Sequence, residues 1–109
     1  MTSVIEDKTN PNRVAQGKTI LDTLEPLHLD IPVIILCDFN TFPDWPETLI
    51  FSSQYQDTRN VAHSKQNGYN WPTYGSPNQR IDYIFVDDSI SILNCSISNN
   101  LSISDHNAI

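Results

Sequence analysis

The amino-acid sequence predicts an α/β fold, and three observations indicate it. Apolar residues at helical spacing occupy the stretch 11–25, which precedes the first strand-like run. Two apolar, β-branched runs then follow, within PVIILCDFN at 32–40 and RIDYIFV at 80–86, and both are typical of buried strands. Helix, loop and strand in this order form half of an α/β unit, so we expect the helix to cover a sheet.

The composition limits the classes of protein and partner. A chain of 109 residues has the size of one domain, and 39% hydrophobic residues with two tryptophans indicate a globular one. Thirteen acidic against six basic residues give a net charge of −7, so the chain as a whole does not attract a polyanion. Cys37 and Cys95 form no CxxC pair, which disfavours a zinc site or a disulfide framework and predicts two buried thiols.

The first helix is predicted to begin at Pro11, with Asn10 as its cap, after a frayed N-terminus at 1–9. Four residues at helical spacing line one face, namely Val14, Gly17, Leu21 and Leu24. Because proline interrupts helical hydrogen bonding, we expect this helix to end before Pro26.

The first strand is predicted over Val33 to Cys37, and it delivers an acid and an amide at its end. Chemistry in α/β proteins is commonly placed at such strand ends. A proline in the first turn predicts a second helix from Pro46 through about Ser52. The polar stretch 54–79 carries three aromatic residues, Tyr69, Trp71 and Tyr74, which fit either a short strand or a docked loop. Such a loop either shapes the mouth of a substrate site or packs on the core.

The second clear strand is predicted over Ile81 to Val86. Residues 90–97 alternate between apolar and polar side chains, which predicts a further strand with one wet face. The last three residues, 107–109, look like the start of another strand. The N-terminal stretch 1–13 shows no apolar leader segment, and no later apolar run approaches the ~20 residues of a membrane span.

Each polar motif taken alone has an ordinary structural interpretation. Asp38 and Asn40 could form a turn, because both residue types bond to nearby backbone after strands. Asp82 lies in an apolar strand, where an ion pair with Arg80 would satisfy it. The SDH motif at 104–106 could cap a helix or form a surface pair.

Taken in order, PVIILCDFN, RIDYIFV and SDH resemble the C-terminal half of the endonuclease/exonuclease/phosphatase family. These metal-dependent phosphoesterases include DNase I-like nucleases, abasic-site endonucleases, neutral sphingomyelinases and inositol-phosphate phosphatases. The resemblance implies a DNase I-like two-sheet α/β sandwich, with mostly antiparallel strands and helices on the outside. It also implies that residues 10–109 are a partial domain that lacks the N-terminal half and the final strand.

The resemblance assigns a role to each matching residue. Asp38 looks like the group that orients or deprotonates the attacking water, and Asn40 like the amide that holds the water and the scissile phosphate. Asp82 is similar to the carboxylate that fixes the imidazole of His106, which then contacts or protonates phosphate oxygens. Asp105 resembles a metal ligand for Mg²⁺ or Mn²⁺, a choice that suits hard oxygen donors.

General chemistry is consistent with these roles. Phosphate-ester hydrolysis needs a positioned water, neutralised nonbridging oxygens and help for the leaving group. Residues two apart on an extended backbone point the same way, so Asp38 and Asn40 are expected to hold one water and one phosphate.

Two departures from the family pattern stand out. Cys37 occupies the position before Asp38, where glycine is common, and adds a thiol that we expect to be sensitive to oxidation. The Asn and Glu that bind metal in the family's N-terminal half, and a further His, have no counterpart here. The expected function is therefore Mg²⁺-dependent hydrolysis of a phosphodiester or phosphomonoester by the complete domain, with this chain weak or inactive alone.

The substrate and the main alternative follow from the same residues. The acidic balance favours a small molecule or a lipid headgroup over nucleic acid as the phosphate-ester substrate. The alternative interpretation is a non-catalytic binding domain, or a degenerate remnant of the same fold.

Overall fold

The computed structural model describes residues 10–63, 80–97, 106 and 109. In chain order its elements are α1 (Pro11–His28), β1 (Ile34–Asp38), α2 (Pro46–Ser52), β2 (Gln56–Asp57), α3 (Thr58–His63) and β3 (Asp82–Val86). The three strands form one antiparallel sheet in the order β1-β3-β2. The α/β class predicted from the sequence is confirmed.

Helix α1 begins as predicted but continues further than predicted. The side chain of Asn10 accepts a hydrogen bond from the Asn12 amide at 2.9 Å, and Pro11 occupies the first turn. The helix ends at His28 rather than before Pro26. Pro26 lies on the exposed side of the last turn, where water can bind the carbonyl that lacks its usual partner.

The buried face of α1 differs in part from the predicted face. Gly17 and Leu21 are buried as expected, whereas Val14 and Leu24 are only half-buried. The third buried residue is Arg13, which is fully enclosed. Arg13, Gly17 and Leu21 are spaced by four residues, so they form one stripe along the helix.

The register of β1 against β3 sorts the side chains onto two faces. Ile35 pairs with Phe85 and Cys37 with Tyr83, and these four residues face the helices. The pairs on the opposite face are Ile34 with Val86, Leu36 with Ile84, and Asp38 with Asp82. On that face Ile34 and Leu36 remain 57% and 69% exposed.

Aromatic rings form most of the core between the sheet and the helices. The buried cluster comprises Leu21, Val33, Phe39, Phe51, Tyr55, Tyr83 and Phe85. Phe39 is central to it, because its ring lies 4.6 Å from that of Phe51 and 5.5 Å from that of Tyr83. The residue directly after Asp38 is therefore anchored in the core.

The strand predicted over 90–97 is wrong, because residues 91–97 have no regular secondary structure. Gln56 donates its side-chain amide to the carbonyls of Asp87 and Ile90, and Asn94 accepts from the Cys95 amide. These side-chain bonds compete with strand pairing. Cys95 is nevertheless buried, as the sequence predicted.

Several expectations concern residues outside the described part of the chain. They are the frayed segment 1–9, the aromatic residues 69–74 and the strand start at 107–108. Among the described helices, none has both the length and the apolar content that crossing a membrane requires.

Candidate functional site

The ends of β1 and β3 bring two carboxylates together. Asp38 is the last residue of β1, and its partner in the register is Asp82, the first residue of β3. Side chains opposite each other in an antiparallel pair lie on the same face and close together. Two negative charges in this arrangement repel each other, so the pair favours a cation or a hydrogen-bond donor beside it.

His106 lies against both carboxylates. Its Nδ1 is 2.8 Å from Oδ2 of Asp82, and its Nε2 is 3.7 Å from Oδ2 of Asp38. Because an ionised carboxylate only accepts hydrogen bonds, the contact with Asp82 places a proton on Nδ1 of His106. The imidazole is thus held in one orientation, with Nε2 directed to the Asp38 side.

The three side chains are accessible to different extents. Asp38 is 43% exposed, His106 30% and Asp82 16%. One donor atom from each residue lies within 4.8 Å of the others. Two carboxylates and one imidazole at this separation form a donor set that a single divalent ion can use, with Asp38 as the most open member.

The chain turns sharply after Asp38. The carboxylate of Asp38 accepts a hydrogen bond from the backbone N–H of Asn40 at 3.0 Å, and Asn40 has a φ of 50°. The extended backbone expected through Asn40 is therefore wrong, because the strand ends at Asp38 and Asn40 is left-handed. Asparagine enters this conformation more readily than most residues, because its short side chain bonds locally.

Side chains from elsewhere in the fold hold this turn. Arg13 donates from Nη2 to the carbonyl oxygens of Phe39, at 2.7 Å, and of Asn40. Tyr83 donates from its hydroxyl to the carbonyl oxygen of Thr41 at 2.8 Å. Sequence reasoning missed Arg13, although its spacing of four residues before Gly17 was a signal that it shares the buried face.

The site opens into a groove of about 510 Å³ along the sheet face. The groove is lined by Leu36, Cys37, Asp38, Asp82, Tyr83, Ile84, His106 and Ile109. Its polar groups converge at one end, where the carboxylates and the imidazole lie, and the remaining wall is mainly apolar. This combination of an open apolar wall and a few convergent polar groups is common in ligand sites.

Cys37 precedes Asp38 on β1, adjoins the groove and is half-buried, with its side chain packed against the core. Burial raises the pKa of its thiol to about 12, and the charges of Asp38 and Asp82 act in the same direction. The thiolate is the form that reacts with oxidants. The environment therefore opposes the oxidation sensitivity expected from the sequence.

The remaining predicted site residues have different outcomes. The structure pairs Arg80 with Asp57, whose Oδ1 lies 2.5 Å from Nη2, and it pairs Asp82 with His106. Asp105, the predicted metal ligand, lies outside the described residues. The chemical roles of Asp38, Asn40, Asp82 and His106 stay predictions.

Comparison with known proteins gives one match. A family model described as the endonuclease/exonuclease/phosphatase family matches residues 7–106. Searches of curated proteins and of solved structures each give no significant match.

Proposed function

Because the chain belongs to the endonuclease/exonuclease/phosphatase family, we propose that it acts in the hydrolysis of a phosphodiester or phosphomonoester that depends on Mg²⁺ or Mn²⁺. The observation that supports this most directly is the cluster of Asp38, Asp82 and His106 at adjoining strand ends. Its groups can accept a proton, donate a proton and bind a cation, which are the functions that this reaction needs.

Each residue has a distinct part in the proposed reaction. Asp38 orients the attacking water and accepts its proton, because its carboxylate is the most exposed of the cluster. His106 contacts the phosphate oxygens through Nε2 and helps the leaving group. Asp82 holds the imidazole through Nδ1, and Asn40 binds the phosphate from the turn after β1.

The donor set fits a hard divalent cation. Asp38 and Asp82 offer carboxylate oxygens, and the repulsion between them is relieved when a cation lies nearby. We propose Asp105 as a ligand of the metal ion, to which Asp38 and Asp82 would add carboxylate oxygens, while Nε2 of His106 is directed to the phosphate. The ion would supply charge neutralisation for the phosphate and a lower pKa for a bound water.

The DNase I-like sandwich is part of the same proposal. The sheet face that bears Ile34, Leu36 and Ile84 is apolar, while α1 and α2 cover only the opposite face. In a two-sheet sandwich a second sheet covers such a face at a distance of ~10 Å. We place the partial domain at residues 10–109, in agreement with a match that covers residues 7–106.

The charge of the chain supports a preference among phosphate esters. A net charge of −7 repels a long polyanion, and the apolar wall of the groove suits a substrate with an uncharged portion. We therefore propose a small molecule or a lipid headgroup rather than nucleic acid. Hydrolysis of a soluble phosphodiester, a phospholipid vesicle and a DNA duplex at equal phosphate concentration would rank the three classes.

The reaction is tested with Asp38→Asn, which removes the proton acceptor but keeps the size of the side chain. In the complete domain, with bis(p-nitrophenyl) phosphate and Mn²⁺, we expect turnover to fall by about a hundredfold or more. Asp30→Asn, an exposed substitution in the loop before β1, is the control and should keep wild-type turnover. Equal turnover of Asp38→Asn and wild type would instead favour a binding domain without catalysis.

Metal binding is tested without any turnover. Paramagnetic Mn²⁺ added at substoichiometric amounts should broaden the NMR signals of His106 and Asp38 before those of Asp30. Asp38→Asn should reduce the broadening at His106, because one of the donor groups is then neutral. Uniform broadening of all exposed acidic residues would contradict a specific site.

A further inference from the structure

We propose that Arg13 is a positioning residue of this site, which sets the conformation of the turn that carries Asp38 and Asn40. The inference rests on the proposed function, because it gives a role to a residue that supports the proposed reacting groups. Arg13 lies on α1, and the turn follows β1, so the connection is made only in the folded chain.

The guanidinium of Arg13 is divided between an ion pair and the main chain. Its Nε donates to Oε1 of Glu47 at 2.8 Å, whereas Nη2 donates to the carbonyl oxygens of Phe39 and Asn40. Arg13 and Glu47 are both fully buried. An ion pair needed for charge balance alone would also use the second oxygen of Glu47, yet Oε2 of Glu47 has no hydrogen-bond partner among the described residues.

The bonds to the main chain act on two consecutive peptide groups. Rotation of either peptide plane would turn the carbonyl of Phe39 or Asn40 away from Nη2 and leave a buried guanidinium N–H unsatisfied. The carbonyl of Thr41 is held separately by the Tyr83 hydroxyl. Three successive carbonyls are thus fixed by side chains.

The conformation that these bonds maintain is an unusual one. Asn40 has a φ of 50°, a region that non-glycine residues occupy at a cost and that persists when the surroundings enforce it. In this conformation the backbone N–H of Asn40 donates a hydrogen bond to the carboxylate of Asp38. A change at Asn40 therefore changes the position of both proposed reacting side chains.

Lysine cannot replace arginine in this arrangement. An ammonium group is a single point of donation, whereas the planar fork of Arg13 reaches Glu47 on one side and two carbonyls on the other. Arg13→Lys therefore keeps the charge beside Glu47 and releases the turn. Glu47→Gln does the reverse, because it removes the charge of the partner and leaves the donors to Phe39 and Asn40 in place.

The kinetic test uses bis(p-nitrophenyl) phosphate with Mn²⁺ and the full chain. We expect Arg13→Lys to lower kcat by about 10- to 100-fold with little change in KM, because a misplaced group mainly weakens transition-state binding. Glu47→Gln should retain most of the wild-type kcat. Leu21→Ala, which opens the core on the same face of α1, controls for general destabilisation and should also retain kcat.

A spectroscopic test is independent of turnover. The ¹³Cα and ¹³Cβ shifts of Asn40 report its left-handed conformation, and we expect them to move toward extended values in Arg13→Lys. They should be unchanged in Leu21→Ala and Glu47→Gln. If wild type shows no turnover, the result expected of a chain that is inactive alone, these shifts decide the role of Arg13.

Three results would overturn the inference. The first is an Arg13→Lys protein with wild-type Asn40 shifts, and the second is a loss of kcat in Leu21→Ala as large as that in Arg13→Lys. If Arg13→Lys does not fold, Glu47→Gln decides. Asn40 shifts that move in Glu47→Gln would be the third result, because they would show that the ion pair, rather than the carbonyl bonds, controls the turn.

Discussion

At the scale of single residues, the Asp38-Phe39-Asn40 motif alternates between solvent and core. Asp38 is 43% exposed, whereas Phe39 is only 1% exposed and contacts the rings of Phe51 and Tyr83. The buried ring anchors the chain between two polar neighbours, so those neighbours leave the sheet at a fixed point. Tyr83 adds a second anchor through its bond to Thr41.

The first prediction concerns the Tyr83 hydroxyl. Its single O–H is buried and is shared by the carbonyl oxygens of Thr41 and Arg80, at 2.8 and 3.0 Å, so Tyr83→Phe removes the donor of both. We expect the free energy of unfolding at pH 7 to fall by about 1–3 kcal/mol. Urea denaturation followed by circular dichroism measures it, and a wild-type midpoint in Tyr83→Phe would contradict the prediction.

The contribution of Tyr83 also depends on pH. Burial raises the pKa of Tyr83 above its ordinary value of 10.0, against the opposing effect of the Arg80 charge. The folded state therefore holds this proton more tightly than the unfolded state, and the contribution is complete below about pH 10 and lost above it. The difference in unfolding free energy between wild type and Tyr83→Phe should shrink from pH 9 to pH 11, by at most about 1.4 kcal/mol per pH unit.

At the scale of elements, α1 and α2 approach each other closely at Gly17. A Cβ atom at this position would lie 2.8 Å from Cδ1 of Ile50 and 3.0 Å from Cε2 of Phe51. The Ile50 methyl group can move, because that side chain is only partly buried, whereas the Phe51 ring is fully enclosed. The glycine therefore allows α2 to pack where its Glu47 reaches Arg13.

The second prediction is that Gly17→Ala destabilises the fold. Alanine raises helix propensity by about 1 kcal/mol, but overpacking against Phe51 costs about 1–3 kcal/mol, so we expect a net loss of about 1 kcal/mol. Thermal denaturation measures the effect. Ala15→Gly, at an exposed position of α1, measures the effect of helix propensity alone. A gain of stability in Gly17→Ala would contradict the close approach of α2 to Gly17.

A third prediction concerns the connection between the start of β1 and the end of β3. Asp87 accepts hydrogen bonds from the amides of Val33 and Ser89, at 2.5 and 2.8 Å. Hydrogen bonding from Ser89 is the main cause that lowers the pKa of Asp87 from its ordinary value of 3.8, and the Val33 amide acts in the same direction. We expect Asp87→Asn to lower the unfolding free energy at pH 7, because an amide oxygen is a weaker acceptor than a carboxylate.

The effect of Asp87 should fade in acid. Its pKa is lower in the folded state than in the unfolded state, so its contribution is present above about pH 4 and lost as the pH falls through the folded-state pKa. Urea denaturation at pH 7, 4 and 3 should therefore give unfolding free energies for wild type and Asp87→Asn that converge. A constant difference at all three values would show that the charge has no part.

At the scale of the whole molecule, the two faces of the sheet differ in what covers them. Helices α1 and α2 bury one face over the aromatic cluster, whereas Ile34 and Leu36 on the other face are 57% and 69% exposed. Neighbouring exposed apolar residues on one face of a strand favour association with another apolar surface. The candidate site lies at one end of this face, where the polar pair of Asp38 and Asp82 follows the apolar residues.

The fourth prediction tests this face with the double substitution Ile34→Thr and Leu36→Thr. Threonine keeps strand propensity, so we expect each change to alter the unfolding free energy by only about 0.5 kcal/mol. Sedimentation velocity should show less association than for wild type at the same concentration. Ile35→Thr, on the covered face, should instead lose about 1–3 kcal/mol without reducing association.

Much of this architecture could be predicted from local sequence features. The Asn10 cap, the bounds of α2 and the strand that ends at Val86 follow from side chains and their close neighbours. The strand expected at 90–97 is absent, and Gln56, more than thirty residues away, instead binds the carbonyl of Ile90 at its start and that of Asp87 just before it. The local alternation of apolar and polar residues gives no information about hydrogen bonds to a residue so far along the chain.

The sequence by itself determined the α/β class, the approximate places of α1, β1, α2 and β3, and the three motifs that indicate the family, because short-range patterns specify strands, caps and residue types. Only the tertiary structure decided that Asp38 faces Asp82, that His106 lies between them and that Arg13 enters the core to hold Phe39 and Asn40. Strand register and the burial of a charge depend on partners distant along the chain. A partner such as Glu47, at a separation of 34 residues from Arg13, is defined only once the chain has folded.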